Sequence, residues 1–265
     1  MEFLQTARKR NYLGDLLHIT FNIALAASVF GLMYVGQNIL LAFILVLVSK
    51  WRVFAVRPRY WRVNVLSNLV DFTVGFSVVG LMYAATGAQG GGLYYQIVLS
   101  VLYAIWLIGI KPRSSKIMVS VQAGVALLLG YWSLSMLVDD VPLMIFVGLC
   151  GLVAYGVARH VLVNNYHDPD VALVGLAYSL LMAQFAWAAY HWNVAYVIPG
   201  VEQIPVSQFA IVSLLISFAM ARVYNHLSQD QAAPAVELLP AVTFSIVASL
   251  VLVFLFGSSG PGIVV

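Results

Sequence analysis

Arg62-Val-Asn-Val-Leu-Ser-Asn68-Leu-Val-Asp71-Phe-Thr-Val-Gly-Phe-Ser-Val-Val-Gly-Leu-Met-Tyr-Ala84 runs from a basic turn into an apolar stretch with an acid in its first third. A spanning helix needs about 20 mainly apolar residues, because the hydrocarbon core is ~30 Å thick and a helix rises ~1.5 Å per residue. Residues 65–84 meet that length, and Asp71 lies nine residues beyond Arg62, about 13 Å along a helix. An ionised side chain at the centre of a bilayer costs ~2.5 to 3.5 kcal/mol on insertion scales. Asp71 therefore needs a partner or a purpose.

Working outward, eight further apolar stretches of comparable kind occur, giving nine expected spans at 18–35, 39–54, 65–84, 94–110, 117–138, 142–163, 171–196, 206–225 and 236–256. The composition agrees: 62% of the 265 residues are hydrophobic, 9% are charged, and the mean hydropathy is +0.95. Soluble domains carry about 25% charged residues. The expected fold is an all-α, polytopic transmembrane helical bundle forming one integral membrane domain over residues 1–265, with no room for a soluble domain in the turns.

Cytoplasmic turns collect Lys and Arg whereas outer turns do not. All thirteen basic residues fall on one side of this nine-span map: Arg8, Lys9, Arg10, Lys50, Arg52, Arg57, Arg59, Arg62, Lys111, Arg113, Lys116, Arg159 and Arg222. The N-terminus is expected in the cytoplasm and the C-terminus outside. The net charge of +3 is thus topological, and no nucleic-acid partner is expected. Compact turns and the absence of any Asn-x-Ser/Thr acceptor point to a bacterial cytoplasmic membrane.

The polar residues within the spans gather in the inner half. Asn64, Asn68 and Asp71 are spaced i, i+4, i+7 and share a helix face, as do His18 and Asn22. Gln122 lies at similar depth, and Arg159 and Arg222 close the sixth and eighth spans. These eight form the expected ligand-binding set of a carrier or binding protein for a small polar solute or lipid headgroup entered from the cytoplasm, with Asp71 as the ionisable centre. Interhelical hydrogen bonding is the competing account of the amides.

The turn holding Lys50, Arg52, Arg57, Arg59 and Arg62, interleaved with Trp51, Tyr60 and Trp61, suits anionic lipid headgroups at about 1 kcal/mol per charge. Within it Lys50, Arg57 and Pro58 match the first motif of the phosphatidic acid phosphatase superfamily. The match goes no further: no Pro-Ser-Gly-His follows, and Arg222, His226 and Asp230 carry three residues in a gap that takes five. A lipid-phosphate enzyme using Arg57, Arg159 or His167 is one alternative. Another is a noncatalytic subunit or homo-oligomer packing through the small residues Gly148, Gly151, Ala154, Gly156 and Ala158.

His167, Asp168 and Asp170 are a weak set for a divalent cation, since Asp-Pro also starts turns and helices. Single Cys150 excludes paired-thiol chemistry, all four lysines are expected at the inner surface or before the first span rather than at a retinal site, and no HExxH suggests zinc, so no cofactor is expected. Gly257-Ser-Ser-Gly260 resembles a rhomboid serine motif without a later histidine, which leaves a flexible tail as the expectation.

Overall fold

The computed structural model describes residues 12–87, 92–192, 194–198, 201–228, 238–255 and 263–264. Arg8, Lys9, Arg10, Asn193, Asp230 and the 257–260 motif lie outside them. The helices are α1 (Tyr12–Gly31, prolonged by a π-turn, Leu32–Gly36), α2 (Ile39–Ser49), α3 (Trp51–Phe54), α4 (Trp61–Ser67), α5 (Leu69–Ala84), α6 (Gly92–Ile105, prolonged by a π-turn, Trp106–Ile110), α7 (Lys116–Met136), α8 (Leu143–Val161, prolonged by a π-turn, Leu162–Tyr166), α9 (Val171–His191), α10 (Gln208–Ser228) and α11 (Leu239–Leu255). Three short strands, β1 (Ala195–Ile198), β2 (Val201–Ser207) and β3 (Ile263–Val264), complete the described chain.

Six helices are long and apolar enough to cross a membrane, or seven if α4 and α5, bent by 66° and led by the turn Pro58–Tyr60, count as one. α2 and α11 are apolar but shorter. At 11 residues α2 rises about 16 Å, roughly half a hydrocarbon core, so as a straight helix it does not reach across. Large apolar side chains cover the outer faces of α1, α9 and α11, among them Phe21, Leu173, Leu180 and Phe254. Exposed apolar surface on this scale belongs against lipid. The chain is a helical, multi-pass membrane protein.

α5 is the central element, with apolar residues buried on all sides, as expected of a helix enclosed by others. It packs on α7, α2, α6 and α8. Close approach depends on small residues: a methyl at Gly156 of α8 would lie 2.9 Å from Leu69 Cβ of α5, and one at Gly130 of α7 would meet Val153 and Thr73 at 3.0 and 3.1 Å. Gly151 of α8 faces Ser179 of α9, whose hydroxyl donates to the Gly151 carbonyl at 2.7 Å. Gly151, Ala154 and Gly156 are therefore spent on contacts within the chain, whereas Gly148 faces outward.

The end of the bundle away from the lysines and arginines departs from the nine-span map. α9 stops at His191, and β1 and β2 form an antiparallel hairpin with Ala195 opposite Ser207 and Tyr196 opposite Val206. β3 adds to the other edge of β1, pairing Ile263 with Tyr196 and Val264 with Ala195. Side chains fasten the hairpin: Trp132 donates to the Pro205 carbonyl at 2.8 Å, Ser207 to Ser135 Oγ at 2.9 Å, and Tyr196 to the Leu252 carbonyl at 3.1 Å. Hydropathy alone cannot separate residues 192–196 from a helix, because Val, Ala and Tyr suit both states.

Candidate functional site

The basic end of the bundle holds the charged and amide side chains expected to bind, but in separate places. The first surrounds Asp71. Asn68 has φ −107° and ψ 7°, which breaks α4 from α5 and makes it the N-cap of α5. Its side-chain amide donates at 2.8 Å to the Asn64 carbonyl, which also accepts the Asn68 backbone N–H at 3.2 Å, and the Asn64 side chain donates to the Val53 carbonyl at 3.4 Å. Asp71 then falls in the first turn of α5. Lys50 sits at the C-terminal end of α2 and forms an ion pair with Asp71. Lys111, at the C-terminal end of the α6 π-turn, forms another at 2.7 Å.

One acid at a helix N-terminus thus meets two cations at helix C-termini, each charge matching the dipole of its own helix. Trp106 adds a long N–H bond to Asp71 Oδ1 at 3.4 Å. Asp71 is 7% exposed and Lys50 6%, while the Lys111 side chain remains 40% accessible. This is a closed clasp rather than a cavity wall. Lys50 consequently leaves the lipid-facing set, in which Arg52, Arg57, Arg59 and Arg62 stay exposed beside Trp51, Tyr60 and Trp61.

The second place is Gln122 on α7. Its amide donates to the carbonyls of Ile110 and Arg113 at 2.8 Å each, and to that of Lys111 at 3.3 Å, tying down the α6–α7 turn. Its oxygen accepts from His160 Nε2 at 2.9 Å. Asn164 then donates to His160 Nδ1 at 3.4 Å, so both ring nitrogens are used and the proton sits on Nε2. Arg159 is half-buried on α8, away from these bonds. His18 and Asn22 bond each other along α1, with His18 exposed on that helix, and join neither group.

The third place contains Arg222. Helices α7, α8, α9 and α10 enclose two adjoining hollows that share Ser120, Tyr166, Phe218 and Ala221. The outer one, about 680 Å³, opens at the basic end between Lys116, Asn165, Arg222, Asn225 and Ser228. The inner one, about 450 Å³, is walled by Ala123, Leu127, Val157, Ala177, Leu181 and Leu214. Tyr166 and Tyr224 meet edge to face at 4.9 Å where the two adjoin. Asn165 donates to the Lys116 carbonyl and to Ser120 Oγ, both at 3.2 Å, and so anchors one side of the mouth. Arg222 lies over the Phe218 ring at 5.2 Å.

Of the eight residues expected to share a site, only Arg222 reaches this cleft; Asp71, Asn68, Asn64, Gln122, His18, Asn22 and Arg159 do not line it. Lys116, Asn165 and Ser120 were not singled out for binding by the sequence. The signal for them was their position at the inner ends of α7 and α8 beside Arg222, a signal that needs the helix arrangement to be read.

At the α8–α9 turn, His167 adopts a left-handed conformation, φ 54°, that ends the helix. Asp168 Oδ1 accepts from the Asp170 N–H at 2.6 Å, an Asx-turn. Among the described residues no three His, Cys, Asp or Glu side chains come together to hold a metal, so His167, Asp168 and Asp170 have turn chemistry as their observed role. No protein-family model, curated protein or solved structure matches the chain.

Proposed function

We propose that this chain crosses the membrane nine times, with its N-terminus in the cytoplasm of a bacterium, and works as a carrier or binding protein for a lipid headgroup or similar small polar solute. The nine crossings are the six long helices, the bent α4–α5 pair, α11, and α2 together with the turns at both its ends, since its 11 helical residues alone cover about half of a hydrocarbon core. The observation that carries the binding assignment is the mouth at Lys116 and Arg222, which is basic, roomy and continuous with a hollow between four helices. Two cations, with no acid among the described lining residues, favour an anionic group such as a phosphate. Arg52, Arg57, Arg59 and Arg62 hold the same end against anionic lipid, each for about 1 kcal/mol.

Asp71 is assigned no contact with the ligand in this proposal, because both of its cationic neighbours already satisfy it. The test is thermal protection of the purified protein by glycerol 3-phosphate. Protection that disappears in Arg222→Gln supports the assignment; equal protection in the variant, or none in the native protein, rejects it. Orientation is tested separately in intact cells with single cysteines, taking advantage of the buried Cys150. Lys116→Cys should resist an impermeant thiol reagent and Asp140→Cys should react. The reverse pattern overturns the topology.

A further inference from the structure

We infer that the inner hollow receives the hydrocarbon chain of the ligand, so that the natural occupant is a single-chain amphiphile with a phosphate-bearing head. This rests on the headgroup assignment above and extends it to the part of the cleft that a water-soluble solute would leave unused.

The Tyr178 and Ser217 hydroxyls in the wall of the inner hollow are committed within the protein. Ser217 donates to the Ser213 carbonyl at 2.5 Å, so in its 2.5 Å contact with Tyr178 it must accept, and Tyr178 donates. Both hydroxyls are occupied, and what remains facing inward is aliphatic: Ala123, Leu127, Val157, Leu181 and Leu214. A hollow of about 450 Å³ with such a lining is unfavourable for a hydrated solute and favourable for methylene groups, at ~0.8 kcal/mol per CH₂ buried.

Depth gives a second, independent constraint. Leu214 precedes Arg222 by eight residues and Leu127 follows Lys116 by eleven, so the hollow reaches about 12 to 16 Å from the charged mouth. Half of a ~30 Å hydrocarbon core is ~15 Å. The cleft therefore has the depth of one leaflet, with its cations at headgroup level and its apolar end near the midplane. α9 and α10 touch sparingly, with Tyr178 and Ser217 hydrogen-bonded across them, which leaves a lateral seam through which a chain enters from the bilayer.

The experiment compares lysophosphatidic acid with glycerol 3-phosphate on the full-length protein by native mass spectrometry, and maps the chain with a diazirine-tailed lysophosphatidic acid. At least tenfold tighter binding of the chain-bearing ligand, with crosslinks on α7 or α10 between 120–127 and 210–221, is expected. Gly124→Leu should erase the gain from the chain while leaving glycerol 3-phosphate bound, since a Cβ at Gly124 meets only Leu214, at 3.5 Å, and a larger side chain grows into the hollow. If that variant fails to fold, the crosslink map of the native protein decides alone. Equal affinity for the two ligands, or crosslinks confined to outer faces such as that of α1, overturns the inference while the headgroup assignment stands. Binding of neither ligand overturns the headgroup assignment itself.

Discussion

Replacing Asp71 by Asn keeps the size of the side chain and removes its charge, leaving two ammonium groups that had shared one carboxylate. The consequences for them differ. Lys111 is 40% accessible and can turn to water, so its own bond resembles a surface pair, at about 0 to 1 kcal/mol. Lys50 is 6% exposed and has no such escape. Stranding a buried charge by deleting its partner costs about 3 to 5 kcal/mol. For a chain of this size each kcal/mol lowers the melting temperature by about 2 to 4 °C, so Asp71→Asn should melt roughly 10 °C lower. Lys111→Ala should cost no more than about 1 kcal/mol.

The decisive comparison is with the double variant Asp71→Asn, Lys50→Met, since removing both members of a buried pair is often neutral. It should recover at least half of the loss, and the departure from additivity with the Lys50→Met single variant measures the coupling. Thermal unfolding in one detergent, followed by tryptophan fluorescence, reads every member of the set. A fully stable Asp71→Asn, or a double variant as unstable as the sum of its parents, would refute the clasp.

Two further outcomes concern packing and polar satisfaction. Gly156→Ala puts a carbon 2.9 Å from Leu69 Cβ, which no rotamer change relieves, and should destabilise by about 1 to 3 kcal/mol; Gly148→Ala, with open space around it, should be neutral or gain up to ~1 kcal/mol from helix propensity. Paired melting curves separate them, and equal effects would contradict the α5–α8 contact. Gln122→Ala removes the donor serving three carbonyls and should cost about 1 to 3 kcal/mol, with faster amide exchange confined to residues 110–116; unchanged exchange there would show that the turn holds without it.

Much of this architecture could be read from the chain itself. Six of the nine apolar stretches hold a helix long enough to cross and a seventh holds the bent α4–α5 pair, because length and composition alone specify a hydrocarbon-compatible segment; 39–54 and 236–256 hold the shorter α2 and α11. The break at Asn68 was not legible: spacing puts Asn64, Asn68 and Asp71 on one face of a continuous helix, whereas the chain bends by 66° there and the Asn68 side chain makes no capping bond. The hairpin after α9 was hidden by residues that are as apolar as a span. What lay beyond periodicity was company: Asp71 meets Lys50 and Lys111 across 21 and 40 positions. Its cost demanded such a partner, and the positive-inside pattern had already put both lysines at its level. The cleft was not legible, since Ser120, Asn165 and Arg222 converge only through the packing of three helices.

The order of the three clasp residues along the chain bears on how the protein is made. Synthesis delivers Lys50 first, Asp71 next and Lys111 last. When α5 leaves the ribosome its carboxylate already has a counter-charge at the end of α2, so the Lys50–Asp71 pair can enter the bilayer with no net charge of its own. Lys111 arrives later and fastens α6 to a partnership already inserted. A ribosome stalled before residue 111 would therefore carry a hairpin that is stable in lipid yet not fully locked, and the locking event would coincide with the emergence of α7.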